Sequence, residues 1–107
     1  MSENLAASTR NLHVTQEGLL TCECQNTDGQ WVPSQIDLNN HIRNNNGEFG
    51  WGGSGFAPGS RNLQILSTWL VGDLRNTSGG WNPTKINLSV RIRNDGGELR
   101  YASDEEV

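Results

Sequence analysis

The chain has 107 residues, room for one modest core and not two. Its formal charge of −4 argues against a nucleic-acid partner, and no apolar stretch approaches the length that spans a membrane. Only 33% of residues are hydrophobic, yet four Trp and regularly spaced Ile and Leu argue against disorder, and 13 Gly with many Asn point to short strands and turns.

In chain order, the N-terminus "MSENLAASTRNL" lacks a basic, apolar leader. Cys22 and Cys24 stand two apart, a spacing that disfavours a disulfide on a strand. Both features predict a reducing, cytoplasmic setting and leave non-classical secretion open. "RNL" at 10–12 and a short apolar run at 18–22 read as strands, followed by a Gly turn "NTDGQ". Trp31-Val32-Pro33 opens the next strand, whose apolar spacing drifts at Ile36, Leu38 and Ile42, predicting a bend or helical turn. "NNNGEFGW" at 44–51 is a tight hairpin, because Asn and Gly accept positive φ. "WGGSGF" then links to a second series with the same order: "RNLQI", "TWLVG", "NTSGG", Trp81-Asn82-Pro83 and "NDGGELRY". Here Ile86, Leu88, Val90 and Ile92 alternate at period two and predict a continuous strand. The acidic tail "SDEEV" reads as a solvated end.

Residues 20–51 align with 70–101 without a gap, with 13 of 32 positions identical. The chain is therefore an internal duplication. Two units of this size are too small for separate cores, which predicts one all-β domain over 1–107 with pseudo-twofold symmetry. The tryptophans are read mainly as core residues.

The order "RNL … W-x-P-[ST]-x-I-[DN]-L … I-R-N-x-x-G-E-[FL]-x-[WY]", present twice, with "SGF" at 54–56 between the copies, resembles the cyanovirin-N homologue family from about Asn4 to Tyr101. The resemblance implies that each half combines a triple-stranded sheet with a β-hairpin exchanged between repeats. Sequence repeats then cover about 10–51 and 61–101, with pseudo-domain A at about 1–40 plus 92–107 and pseudo-domain B at about 41–91. It implies a metal-independent lectin for terminal α1,2-linked mannose of high-mannose glycans, without a cofactor. Partners would be mannose-containing oligosaccharides or glycoproteins, with no nucleic acid and no membrane. The chain would be mainly monomeric, with a swapped dimer open to it through the Gly52-Gly53 hinge.

Family disulfide positions fall on Thr9 and Cys24, and on Ser60 and Leu74, so neither pair can bridge. A lost disulfide costs about 2–5 kcal/mol, and Trp31, Trp69 and Trp81 are the expected compensation.

By the resemblance, pocket B comprises Asn44, Asn46, Ser54, Gly55 and Phe56, with Arg75, Asn76, Thr77 and Gly79 from the facing turn. Relatives often carry Asp at Asn46, and sugar-binding Glu and Thr where this chain has Pro58 and Gly59. Pocket A comprises Asn4, Ser8, Gln25, Asn26, Thr27, Asn94, Asp95, Gly96 and Gly97. There the family Asp falls on Gly96, with an Asp one residue early. Pocket B is the favoured site. Sugar hydroxyls both donate and accept, so Asn, Thr, Arg and backbone amides on rigid turns suit them.

Three rivals stand beside this reading. Glu48 and Glu98 resemble a glycosidase pair only until the repeat places them in different halves. Cys22, Cys24, His13 and His41 fit no usual zinc spacing. An eroded lectin fold serving as a protein-interaction or structural module is the third.

Overall fold

The computed structural model describes residues 2–3 and 5–102; Asn4 and the acidic tail lie outside the described residues. The chain opens with β1 (Ser2–Glu3) and one helical turn, α1 (Leu5–Ser8). Repeat one follows as β2 (Thr9–Val14), β3 (Leu19–Gln25), β4 (Trp31–Asp37) and the hairpin β5 (Ile42–Asn44) and β6 (Phe49–Trp51). Repeat two gives β7 (Ser60–Leu66), β8 (Trp69–Arg75), β9 (Trp81–Asn87), β10 (Ile92–Asp95) and β11 (Glu98–Tyr101). β2-β3-β4 and β7-β8-β9 are antiparallel three-stranded sheets. β5-β6 is a two-stranded hairpin, and β1 adds an edge to the equivalent hairpin β10-β11.

The hairpins are exchanged. β6 packs against β9 of the second sheet, and β11 packs against β4 of the first. A hydrogen bond from Leu99 N to Ser34 Oγ (3.0 Å) fixes the latter contact. The molecule is elongated, 50 × 28 × 17 Å.

One core serves both repeats. Leu20 and Leu70, Leu38 and Leu88, and Ile42 and Ile92 are all inaccessible to solvent and belong to a single apolar cluster. Duplicated sequence thus becomes duplicated packing around one interior, since neither unit alone could bury these faces.

The helical turn predicted near Leu38 is a 3-10 turn over Leu38–Asn40, capped by Asp37, whose carboxylate accepts from Asn39 N at 3.0 Å. Repeat two has the same turn at Leu88–Val90, capped by Asn87. The continuous strand expected through Val90 is therefore wrong: the cap breaks the strand after Asn87, and Val90 is 44% exposed.

Of the tryptophans only Trp51 packs against the core. Trp31 and Trp81 lie half-buried beneath the guanidiniums of Arg10 and Arg61, each 4.4 Å from the ring centre. Trp69 is exposed beside Lys85, and Trp51 is half-buried against Tyr101. The other three indoles lie at the surface, each against a cation.

At the family disulfide positions Thr9 pairs with Cys24 and Ser60 with Leu74 across the strands. Cys24 and Leu74 are fully buried, while the Ser60 hydroxyl donates to Ala57 O at 2.6 Å and that of Thr9 to Leu5 O. These positions are thus filled by buried or hydrogen-bonded side chains in place of a bridge. Cys22 and Cys24 are buried thiols with sulfurs 3.5 Å apart. Burial, then the hydrogen bond to Cys24, pushes the Cys22 thiol up to about 12, so it holds its proton at neutral pH.

Candidate functional site

The exchange of hairpins sets each hairpin tip against a turn of the other repeat. The tip 44–47 meets the turn 76–80, and the tip 94–97 meets the turn 26–30. These two junctions hold most of the residues singled out in the sequence.

At the first junction, Asn45 and Glu48 exchange backbone hydrogen bonds of 2.7 and 3.1 Å. The two residues between them, Asn46 and Gly47, take positive φ (51° and 90°), as a two-residue hairpin loop requires. Asn44 closes the tip by accepting from Gly47 N at 2.7 Å, and its Nδ2 donates to Arg75 O across the junction at 2.9 Å. Asn46 Oδ1 accepts from both Thr77 N and Thr77 Oγ1, each at 2.9 Å. The facing turn is held by Asn76, whose Oδ1 accepts from Ser78 N and Gly80 N.

Asn44, Asn46, Arg75, Asn76, Thr77 and the open Gly79 therefore converge on one rigid polar surface, with Asn46, Thr77 and Arg75 exposed. Asn46 Oδ1 is committed to Thr77, which leaves its Nδ2 as a donor, and the Thr77 hydroxyl keeps its lone pairs as acceptors.

Other expected members of this pocket sit differently. Phe56 is fully buried, edge-on to Phe49 at 5.6 Å, so its ring is part of the core and cannot meet a ligand. Ser54 is exposed on the linker, and Gly55 N is tied to Asn39 O at 2.8 Å. Gly59 abuts the junction, since a Cβ there would lie 3.2 Å from Asn44 Nδ2. Pro58 instead lines a groove of about 350 Å³ with Gln16, Glu17 and Asn39.

Sequence reasoning missed Asn82. Its Oδ1 accepts from Asn76 Nδ2 at 3.0 Å, and a Cβ on Gly47 would reach to 2.5 Å from its amide. The available signal was the mismatch with Val32 inside an otherwise matched Trp-Xaa-Pro.

At the second junction the tip is closed in the same way, by Asn94 accepting from Gly97 N at 2.8 Å. Asn94, however, is fully buried, and its Nδ2 donates to both Gln25 O (2.9 Å) and Ser8 O (3.2 Å). β1 and α1 lie along β10 and cover it. Gly96 replaces the clamping Asn46, and a Cβ there would be 4.0 Å from the methyl of Thr27. Asp95 turns to Arg100, at 3.2 Å. Asn26 accepts from Asp28 N and Gln30 N within its own turn, and Gln25 Nε2 donates to Gly29 O. Thr27 remains exposed, while Ser8 is buried. This junction holds together through one interior amide and lacks the surface clamp of the first.

Among the described residues no three His, Cys, Asp or Glu side chains converge as metal ligands. Glu48 and Glu98 are exposed, one at each hairpin.

The CVNH domain model matches residues 5–100. A curated cyanovirin-N homologue from Tuber borchii is 43% identical over 61 residues, which are 56% of this chain and 59% of that relative, so the match spans less than two thirds of its length. The NMR structure of the CVNH protein of Gibberella zeae superposes with a TM-score of 0.81 at 32% identity, covering 94% of this chain and 98% of that one. A complex of microvirin with mannobiose superposes with a TM-score of 0.80 at 26% identity, covering 92% and 98%. Fold, exchanged hairpins and sequence match agree, and the chain belongs to the CVNH family.

Proposed function

We propose that this chain is a metal-independent lectin that binds terminal α1,2-linked mannose of high-mannose glycans at the junction of hairpin 42–51 with turn 76–80. The observation that carries this reading is the Asn46–Thr77 clamp. It fixes a donor amide and an acceptor hydroxyl on two interlocked turns, with Arg75 exposed beside them, so little ordering is lost when hydroxyls dock. The mannobiose complex of a fold relative supports the sugar class. Thr77, Asn46 and Gly79 form its exposed floor, Asn44 and Asn76 brace it, and Gly59 leaves one wall open where a side chain would stand. Catalysis has no part in this reading, since the exposed Glu48 and Glu98 stand at separate hairpins.

The second junction favours a different role. Its central amide is buried and saturated, which fits a structural joint better than a pocket. A single live pocket gives no avidity for branched glycans, and the chain then acts as a monovalent monomer. The buried thiols support a reducing, cytoplasmic setting.

Binding to an immobilised high-mannose glycoprotein tests the reading. The signal should be competed by α1,2-mannobiose, unchanged by chelator, and lost in Asn46→Ala. Binding that free mannobiose does not compete would instead support the protein-interaction alternative.

A further inference from the structure

The two junctions differ in charge as well as in clamping. Around the first, the hairpin and turn (43–48 and 75–80) carry Arg43 and Arg75 against Glu48, a net of +1. Around the second, the equivalent residues (93–98 and 25–30) carry Arg93 against Asp28, Asp95 and Glu98, a net of −2. Duplication made the two segments alike, so the charge was changed by substitutions at three matched places, and the clamp by a fourth. Arg75 stands opposite Gln25, Ser78 opposite Asp28, Asn45 opposite Asp95, and Asn46 opposite Gly96.

The cations of the first junction also hold no ion pair among the described residues. Arg75 is exposed, with its guanidinium 5.6 Å from the Trp81 ring, and Arg43 is exposed with its stem along Gly53. Among the described residues neither has a carboxylate within ion-pair distance. Asp73, the acid nearest in sequence to Arg75, is taken by Arg61 Nε (3.2 Å) and Asn62 Nδ2 (3.1 Å). At the other junction the Arg93 guanidinium donates to Ser89 O, and Arg100 pairs with Asp95.

We infer that the first junction selects glycans carrying an anionic group, a phosphate monoester or a carboxylate, on or beside the terminal sugar. This rests on the sugar reading above and names the ligand class of that same site. The sugar hydroxyls meet Asn46 and Thr77, while the Arg75 guanidinium at the base of the turn takes the anion. A planar guanidinium with several donors suits either anion. A neutral mannoside leaves that cation solvated and gains nothing from it. The second junction, with its excess of carboxylates, repels the same ligand.

Calorimetric titrations with α1,2-mannobiose, with its phosphate monoester, and with inorganic phosphate alone test this. The monoester should bind roughly five- to tenfold more tightly than neutral mannobiose at low salt. Its advantage should shrink as salt rises and vanish in Arg75→Gln, which installs the matched residue Gln25. Equal or weaker binding of the monoester, with neutral mannobiose still perturbing 44–47 and 75–79, overturns the inference and leaves the lectin reading intact. Inorganic phosphate binding as tightly as the monoester also overturns it, since the anion would then dock without the sugar. No binding of either disaccharide sinks the lectin reading and this inference with it.

Discussion

The junction at Asn44–Gly47 and the junction at Asn94–Gly97 descend from the same segment, yet one ties its halves at the surface and the other in the interior. At the first, Asn44 is half-buried and reaches one carbonyl, and Asn46 adds an exposed clamp on Thr77. At the second, Asn94 is fully buried and reaches two carbonyls, with glycine in the clamp position. The difference teaches that a fold can keep both joints while specialising one for stability and the other for ligand. A buried, saturated amide is costly to disturb and of no use to a sugar. An exposed, locked amide contributes less to folding and presents donors where hydroxyls can reach.

The comparison breaks most sharply at the two closing asparagines. Asn94→Ala leaves two carbonyls and an amide unsatisfied inside the protein and should cost about 2–4 kcal/mol in urea unfolding. Asn44→Ala, at a half-exposed site where water can replace the amide, should cost about 1–2 kcal/mol. Equal costs would remove the assigned division of labour.

Asn46→Ala comes next. It removes both bonds to Thr77 and places Ala at φ 51°, a region Asn tolerates better. Destabilisation of about 1 kcal/mol is expected, together with at least tenfold weaker sugar binding by calorimetry.

The comparison sharpens with Gly96→Asn. The backbone there has φ 65°, which Asn accepts, and Thr27 is exposed and within reach. The variant should stay within about 0.5 kcal/mol of the parent and create sugar-dependent shifts at Thr27 and 94–97 that the parent lacks.

The smallest effect is a pH dependence shared by neither junction. His41 stacks on Tyr101 at 4.2 Å, and burial lowers its pKa below the ordinary 6.5, against a weaker opposing pull from Asp37. The unfolded chain therefore takes the proton first. Stability is complete above about pH 6.5 and declines as pH falls through the window down to the folded pKa. A chemical-denaturation series should show this slope in the parent and not in His41→Phe.

Much of this was legible in the sequence, for physical reasons that also mark where legibility stopped. The Asn-Gly and Gly-Gly tips announced their hairpins because few other residues accept two consecutive positive φ values. The matched leucines and isoleucines announced a shared core. Val90 misled because its alternation with Ile86, Leu88 and Ile92 suits a strand, while the cap at Asn87 that ends the strand is a single polar residue. Family position places Phe56 in a pocket, and only packing against Phe49 shows that its ring is interior. Asn44 and Asn94 are identical letters in matched surroundings. Their different burial depends on what lies over them, β1 and α1 at one junction and the interrepeat linker at the other. That is a property of tertiary placement and not of the repeat.

The central claim is that the clamped junction alone is a preformed sugar site. Titrating isotope-labelled protein with α1,2-mannobiose and following backbone amides by NMR tests it most directly. Saturable shifts are expected at residues 44–47, 59 and 75–79, with 26–29 and 94–97 unmoved. Shifts centred on 94–97, or none anywhere at millimolar sugar, would contradict it.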